Sequence, residues 1–252
     1  MAARPVALVT GVGRSAGIGA AVAEGLAAGG WDVAFGYWTP YDRRMPWGAD
    51  DGAVGAVAAR LRGLGARSAG FEADLSDPEA PARLFDAAEE RLGSVTALVL
   101  GHCESTDSGI LDTTVESFDR HFAVNARATW LLIREFALRF TGPRGTGRIV
   151  ALTSDHTAGN LPYGASKGAL DRITLAAARE LADLGVTANV VNPGPTDTGW
   201  MTEELKADVV RRTPLGRLGT PRDCARLVAF LCSPEGGWIN GRLLHSDGGF
   251  SA

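Results

Sequence analysis

Short apolar segments alternate along the chain with longer segments in which apolar residues recur every three or four positions. The first kind predicts β-strands, because a strand that is buried on both faces reads as a continuous apolar run. The second kind predicts helices with one apolar face. Predicted strands span residues 5–10, 31–37, 66–73, 95–100, 147–153, 186–191 and 243–246. Predicted helices span residues 20–28, 51–64, 78–92, 118–140, 163–184, 200–212 and 222–232.

This regular alternation predicts an α/β fold in which helices flank one doubly wound parallel sheet of about seven strands. Each helix would carry the chain back to the start of the next parallel strand. Since no linker, low-complexity segment or internal repeat divides the sequence, we expect residues 1–252 to form a single domain.

A glycine-rich loop follows the first predicted strand and leads directly into the first predicted helix. It contains Gly11, Gly13, Arg14, Gly17, Ile18 and Gly19. This order of elements is the Rossmann-type context in which the pyrophosphate of a dinucleotide binds the amides of a helix N-terminus. Glycine lets the backbone approach the phosphates closely. The alternative is a tight turn without a ligand, because three residues separate Gly13 from Gly17 where the motif has two.

The end of the second predicted strand carries aromatic residues where a dinucleotide-binding fold places the acid that binds the ribose. Tyr37 and Trp38 stand there, and the first acid is Asp42, followed by Arg43 and Arg44. A missing acid with two arginines nearby favours the 2′-phosphate of NADP over the 2′-hydroxyl of NAD, although NAD stays possible. The aromatic side chains of the long loop that follows either pack on one another or contact the adenine.

Polar residues also follow the third and fourth predicted strands, at the edge where parallel sheets bind ligands. Asp74, which precedes Leu75, either accepts a hydrogen bond from the adenine amino group or, like Ser76, caps the next helix. His102 and Glu104 follow the fourth strand and either line a site or are solvated loop residues. For these two residues we favour the solvated interpretation.

Tyr163 and Lys167 are four residues apart on a predicted helix, so their side chains share one face. An ammonium beside a phenol favours the phenolate, which would make Tyr163 an acid or base at working pH. Only two of the 25 basic residues are lysines, which argues against a chance pairing on an ordinary amphipathic helix. Ser154 ends the fifth strand. Asn125 interrupts an apolar stripe and is either a satisfied core residue or a group that holds water or ligand.

Composition and charge narrow the function classes. The 252 residues carry a formal net charge of −4, which gives no electrostatic case for nucleic acid or an anionic membrane. No apolar run approaches the roughly 20 residues that span a bilayer, and no signal peptide is recognisable. Cys103, Cys224 and Cys232 are far apart and lack metal-ligand spacing. We therefore expect free thiols, no metal site and a cytoplasmic location.

The order and spacing of these motifs resemble the short-chain dehydrogenase/reductase family from about residue 6 to residue 250. The resemblance rests on Thr10-Gly11 with Gly17-Ile18-Gly19, Asp74-Leu75, Asn125, Ser154, Tyr163-x-x-x-Lys167 and Asn192-Pro193-Gly194 with a downstream threonine. Within the family the chain is most similar to 3-oxoacyl-acyl-carrier-protein reductases. It is especially similar to a branch with Tyr-Trp-Thr-x-Tyr-Asp after the second strand and Pro-Thr-Asp-Thr-Gly-Trp after the sixth.

The resemblance implies an NADP-dependent reduction of a ketone or a 3-oxoacyl thioester by hydride transfer. Tyr163 would be the acid or base, and Lys167 would lower its pKa and hold the nicotinamide ribose. Ser154 would bind the substrate oxygen, and Asn125 would hold a water that relays protons. The implied cofactor-binding residues are Gly11, Gly13, Arg14, Gly17, Ile18, Gly19, Tyr37, Trp38, Asp74, Leu75, Gly101, Tyr163, Lys167, Pro193, Gly194, Thr196 and Thr198. The family also implies a homotetramer, or a dimer.

Four departures from the family pattern affect details of this prediction. The glycine loop is two residues longer than usual, so Arg14 need not reach the 2′-phosphate. The family's Asn-Asn-Ala-Gly is replaced by residues 100–103, and the end of the second strand matches neither common cofactor pattern. The connection from Ser154 to Tyr163 is about four residues shorter than usual. Alternative functions are an NAD-dependent secondary-alcohol dehydrogenase of specialised metabolism and a non-catalytic dinucleotide-binding regulator.

Overall fold

A computed structural model describes residues 4–252 of the chain. Seven strands, all paired in parallel, form one sheet in the order β3-β2-β1-β4-β5-β6-β7. The strands are β1 Val6–Thr10, β2 Asp32–Tyr37, β3 Ser68–Glu72, β4 Val95–Leu100, β5 Arg148–Leu152, β6 Thr187–Asn192 and β7 Leu243–His245. The predicted doubly wound parallel sheet is confirmed.

Helices cover both faces of the sheet. They are α1 Ile18–Ala28, α2 Thr39–Arg44, α3 Ala53–Gly63, α4 Ala80–Leu92, α5 Val115–His121, α6 Ala128–Arg139, α7 Leu161–Glu180, α8 Glu203–Arg212 and α9 Pro221–Cys232. Successive strand residues point to opposite faces. Leu8 accordingly lies in the core shared with α4, α6 and α7, whereas Val9 lies in the core shared with α1, α3 and α9. Within residues 4–252, no helix combines the length and apolar character needed to cross a membrane.

The helix predicted over residues 118–140 is divided in the structure. A π-helical segment, Phe122–Arg127, separates α5 from α6 and contains Asn125. Such wide turns occur mostly as insertions within α-helices and frequently lie at functional sites. Periodicity alone could not find this division, because the apolar stripe continues on both sides of it.

Other helix boundaries differ by a few residues, and one short helix was missed. Helix α2 lies in the segment that was predicted as a loop, where six residues are too few to show a helical period. The helix that carries Tyr163 begins at Leu161 and ends at Glu180, not at residue 184. A 3-10 turn follows, and Gly185 with φ 66° closes it.

The order of the strands defines where a ligand can bind. The chain leaves β1 toward β2 on one side and enters β4 on the other, so the loops after β1 and β4 diverge at the carboxyl edge of the sheet. In open α/β sheets, ligands bind in the crevice at this switch point.

Candidate active site

The end of β5 and the first turns of α7 bring three of the predicted catalytic residues together. Ser154 is a close neighbour of Tyr163, near enough for its side chain to oppose the rise in the pKa of the phenol. Lys167 Nζ donates to the Leu152 carbonyl over 2.8 Å and lies 5.8 Å from the centre of the Tyr163 ring. Ser154 is two residues beyond Leu152, so Tyr163 and Lys167 both lie against the same end of β5. This grouping agrees with the four-residue spacing of Tyr163 and Lys167 in the sequence.

The pKa of Tyr163 is raised in the structure, whereas the sequence led us to expect a lowered one. Burial is the largest cause, the nearby Cys103 adds to it, and the neighbouring Ser154 side chain opposes it. The pKa of Lys167 is lowered, again mainly by burial, while Cys103 and Asp171 oppose that shift. Tyr163 is therefore a protonated phenol at neutral pH. That is the form required of a group that gives a proton to a carbonyl oxygen.

Asn125 lies in the π-helical segment and is fully buried. Its amide nitrogen donates to the Glu104 carbonyl over 2.9 Å and to Ser166 Oγ over 2.8 Å. Its amide oxygen accepts the Glu104 N–H over 2.7 Å. The side chain is thus a satisfied core residue, which was one of the two interpretations left open. It ties the loop after β4 to α7 beside Lys167.

His102 and Glu104 are buried, so the expectation that they are solvated loop residues is wrong. The Nε2 of His102 donates to the Val124 carbonyl over 3.0 Å, and its Nδ1 accepts from the Thr10 hydroxyl over 2.7 Å. Burial and the charge of Lys167 lower the pKa of His102 to about 3. His102 is accordingly a neutral ring that joins the ends of β1 and β4 to the π-helical segment.

Glu104 gathers arginines from two separate helices. Its carboxylate accepts hydrogen bonds from Arg44 of α2 and from Arg120 of α5, the latter over 3.1 Å. Arg120 also lies 3.7 Å from Asp74. The sequence alone does not reveal this ion cluster, because its members are distant in the chain. It also engages Arg44, one of the two arginines that the sequence suggests as partners for the 2′-phosphate, whereas Arg43 has no part in the cluster.

The glycine loop is built for close backbone contact. Gly11 has φ 80°, and a Cβ atom there would lie 2.3 Å from the Gly101 carbonyl oxygen. A Cβ atom at Gly19 would lie 2.4 Å from the Gly11 carbonyl oxygen. Helix α1 begins after Gly17, whose lack of a side chain leaves its first amides without an N-cap hydrogen bond. This glycine cradle with uncapped helix amides fits the pyrophosphate of a dinucleotide.

Helix α2 and the residues after it pack against this loop. The Asp42 carboxylate is buried, and one oxygen would lie 2.7 Å from a Cβ atom at Gly13. Trp47 Nε1 donates to Asp42 over 3.1 Å, and the Arg14 guanidinium lies 4.9 Å from the Trp47 ring centre. Arg14 also donates to the Thr198 carbonyl over 2.6 Å. The aromatic segment is therefore packed on itself and on the glycine loop, while adenine contact stays a prediction.

The residues predicted near the adenosine occupy the neighbouring edge of the sheet. Tyr37 ends β2, and Trp38 lines an open cleft of about 550 Å³ together with Asp74. The Asp74 carboxylate accepts the Ser76 N–H over 2.9 Å, and α4 begins only at Ala80. Neither Asp74 nor Ser76 caps that helix, so this alternative is wrong. The side chain of Leu75 is buried in the core beside α4, and Ile18 packs against the opposite core.

The loop after β6 closes the site from the other side. Gly194 has φ 60°, and its N–H donates to Asn192 Oδ1 over 2.9 Å. Thr196 is buried, and its hydroxyl donates to the Pro193 carbonyl over 3.2 Å. Through the bond between Arg14 and the Thr198 carbonyl, this loop meets the glycine loop.

The connection between Ser154 and Tyr163 packs directly on α7. A Cβ atom at Gly164 would lie 2.0 Å from the His156 carbonyl oxygen, so this position requires glycine. Asn160 donates to Ser105 Oγ over 2.9 Å and to Asp107 over 2.8 Å. The shortened connection is therefore anchored by the loop after β4.

A sequence model of the family described as "Enoyl-(Acyl carrier protein) reductase" matches residues 11–251 of this chain. A solved short chain dehydrogenase from Burkholderia cenocepacia J2315, in complex with NADP, superposes with a TM-score of 0.86 at 36% identity. The superposition covers 99% of this chain and 98% of that one. The chain belongs to the short-chain dehydrogenase/reductase family. The resemblance drawn from its motifs is confirmed.

Two sequence relatives cover nearly the same length as this family member. The uncharacterized oxidoreductase YjdA of Bacillus subtilis (strain 168) is 37% identical over 250 residues, which are 97% of this chain and 96% of YjdA. An NADPH-dependent aldehyde reductase-like chloroplastic protein of Arabidopsis thaliana is 34% identical over 262 residues, at 97% and 93% coverage. This short-chain dehydrogenase/reductase is therefore an oxidoreductase.

Proposed function

We propose that this short-chain dehydrogenase/reductase reduces a ketone or a 3-oxoacyl thioester to a secondary alcohol with NADPH. The observation that carries the proposal is the grouping of Ser154, Tyr163 and Lys167 where β5 meets α7, with Lys167 Nζ 5.8 Å from the centre of the Tyr163 ring. A hydroxyl pair at the carboxyl edge of a parallel sheet can bind a carbonyl oxygen and protonate it.

NADP as the cofactor agrees with the two relatives whose names include it. The cradle of Gly11, Gly17 and Gly19 would hold its pyrophosphate against the first amides of α1. When bound, the cofactor supplies the hydride, and the protein supplies position and protons. Both arginines at the end of α2 are exposed, but Arg44 is paired with Glu104, so we assign the 2′-phosphate to Arg43 and not to Arg44.

Each residue of the cluster has a separate task in the reduction. Tyr163 gives its phenolic proton to the carbonyl oxygen, and burial keeps that proton on the phenol until a substrate arrives. Ser154 donates a hydrogen bond to the same oxygen as its negative charge develops. Lys167 offers its ammonium to the phenolate that forms and to the ribose hydroxyl groups of the cofactor. Asn125 holds the loop after β4 against α7 and so keeps this geometry rigid.

The substrate class rests on family similarity. The aldehyde reductase-like relative supports carbonyl reduction in general, and the acyl-thioester assignment follows from the resemblance of the motifs. An NAD-dependent secondary-alcohol dehydrogenase would use the same three side chains in the reverse direction. A regulator without turnover would not need them, and this chain retains all three.

The test removes the phenolic hydroxyl group of Tyr163 and keeps its aromatic ring. We expect Tyr163→Phe to lower the rate of NADPH oxidation by about 10³-fold or more across a carbonyl panel that includes a 3-oxoacyl thioester. NADPH binding, measured by fluorescence titration, should stay within about threefold of wild type. Retained turnover in Tyr163→Phe would disprove the proposed mechanism.

We also propose the homotetramer that the family resemblance implies, in the cytoplasm. Large apolar side chains are exposed on two surfaces that could bind other copies of the chain. They are Trp130 and Leu138 on α6, and Phe230 and Trp238 near the carboxyl end. Light scattering after size-exclusion chromatography should give about four times the mass of one chain. A monomeric mass would contradict the assembly without affecting the catalytic proposal.

A further inference from the structure

Glu104, in the loop after β4, is attached through both its main chain and its side chain to the helical run that follows. Its N–H donates to Asn125 Oδ1 over 2.7 Å, and its carbonyl oxygen accepts from Asn125 Nδ2 over 2.9 Å. Its carboxylate accepts from Arg120 Nε over 3.1 Å. Arg120 belongs to α5 and Asn125 to the π-helical segment. One buried residue therefore holds two successive parts of this helical run.

The π-helical segment is held by this loop at two neighbouring positions. His102 Nε2 donates to the Val124 carbonyl over 3.0 Å, and Glu104 binds the amide of Asn125. Such a wide turn is rare inside an α-helix and has to be stabilised by its surroundings. Alternate residues of the loop thus bind consecutive residues of the segment. The position of the Asn125 side chain is set by the loop after β4.

The contacts continue from Asn125 to the backbone of Tyr163. Asn125 Nδ2 donates to Ser166 Oγ over 2.8 Å, and Ser166 Oγ donates to the Tyr163 carbonyl over 2.8 Å. A serine hydroxyl has one proton, so a bond accepted from Asn125 leaves that proton for the Tyr163 carbonyl. Asn125 and Ser166 are both fully buried. Two side chains therefore connect the main chain of Glu104 to the first turn of α7.

The carboxylate of Glu104 faces the cofactor side of the crevice. Both of its oxygens accept from Arg44 of α2, the helix that covers the glycine loop. Arg120, its second partner, also lies 3.7 Å from Asp74 in the cleft beside Trp38. A buried carboxylate is retained where charged partners compensate its desolvation. Glu104 accordingly joins the elements around the cofactor cleft to the helix that carries Tyr163.

We propose that Glu104 is a positioning residue for Tyr163. Its carboxylate, held by two arginines, fixes the loop after β4, and the main chain of this loop fixes Tyr163 through Asn125 and Ser166. The inference rests on the proposed function, because it gives Glu104 a task only if Tyr163 protonates the substrate. Glu104 acts through these side chains, and the phenol of Tyr163 acts on the substrate.

The first test compares Glu104→Gln with wild type at saturating NADPH, with kcat expressed per NADPH-binding site. Glutamine keeps the size of the side chain but removes the charge that holds the two arginines. We expect kcat to fall about tenfold, because a small displacement of a catalytic group is costly. The KM of the carbonyl substrate should stay within about threefold of wild type. A kcat equal to that of wild type would overturn the proposal, even if the thermal midpoint fell.

A second variant breaks the last link without touching the ion cluster. Ser166→Ala removes the hydroxyl that binds the Tyr163 carbonyl, and it should lower kcat about fivefold. NADPH binding, measured by fluorescence titration, should stay within about threefold of wild type. This variant decides the question alone if Glu104→Gln does not fold, since an unchanged kcat in Ser166→Ala would contradict the proposed connection.

The double variant tests whether the two residues act on the same connection. Links in series are lost together, so kcat of Glu104→Gln with Ser166→Ala should equal that of the more impaired single variant. A fall equal to the product of the two separate effects would refute the connection. Glu24→Gln is the matched control, because it removes the carboxylate of an ion pair between α1 and α3. It should leave kcat unchanged.

Tyr163→Phe distinguishes failure of this inference from failure of the proposed function. If Tyr163→Phe keeps its turnover, the proposed function is wrong. If Tyr163→Phe loses turnover while Glu104→Gln and Ser166→Ala keep the kcat of wild type, the role of Tyr163 stands and only the inference about Glu104 is wrong.

Discussion

The two sides of the switch-point crevice are constructed differently. On one side, Tyr163 and Lys167 lie four residues apart on α7, and Lys167 donates to the end of β5, which Ser154 follows. On the other side, the glycine loop is covered by α2, whose contacts join residues far apart in sequence. Arg44 reaches Glu104, and Arg14 reaches the Thr198 carbonyl. The proposed catalytic side depends on local spacing, and the proposed cofactor side depends on long-range pairing.

This difference determines how each side responds to mutation. A change on the catalytic side removes a proton or a charge and leaves the surrounding helix and strand intact. A change on the cofactor side alters how α2 is held, because ion pairs and one buried carboxylate hold it. Asp42 is such a group, since burial against the glycine loop raises its pKa and Trp47 and Arg14 oppose that shift.

The largest expected effect on stability lies where the two sides meet, at His102. Its pKa is about 3 in the folded chain and about 6.5 in an unfolded one, so the unfolded chain binds more protons between these values. The stability that neutral His102 confers is complete above pH 6.5 and falls as the pH drops toward 3. At pH 4 the loss is roughly 3 kcal/mol.

Urea unfolding at pH 7 and at pH 4 would measure this effect. In His102→Gln, which cannot take up a proton, the difference between the two pH values should be smaller by about that amount. Glutamine retains a donor and an acceptor for Val124 and Thr10. An equal pH dependence in wild type and variant would show that His102 is not the neutral group that joins the two sides.

The sequence predicted the sheet and the catalytic side because both depend on local patterns. Seven apolar runs were enough for the strands, and the spacing of Tyr163 and Lys167 was enough for their grouping. The roles of His102 and Glu104 could not be predicted, because their burial depends on partners up to 92 residues away, such as Thr10. The predicted downward shift of the Tyr163 pKa was wrong for the same reason, because burial arises from packing and not from sequence spacing.

Helix α2 shows the same limit on a smaller scale. Its six residues are too few to show a helical period in the sequence. The ion pair between Arg44 and Glu104 holds this helix in its position. From the sequence alone, Arg43 and Arg44 are equivalent candidates for binding the 2′-phosphate. The structure separates them, because both are exposed but only Arg44 is bound to the buried carboxylate of Glu104.

A matched pair of variants tests that separation, with smaller expected effects. Arg43→Ala should weaken NADPH binding about tenfold more than NADH binding, because the exposed guanidinium is available to the 2′-phosphate. Arg44→Ala should weaken both cofactors by the same factor, because it releases α2 from Glu104 without removing a phosphate partner. Fluorescence titration with NADPH and NADH gives both ratios. Equal weakening of the two cofactors by Arg43→Ala would show that the 2′-phosphate is bound elsewhere, and then Arg14 is the next residue to change, since it already spans the glycine loop and the loop after β6.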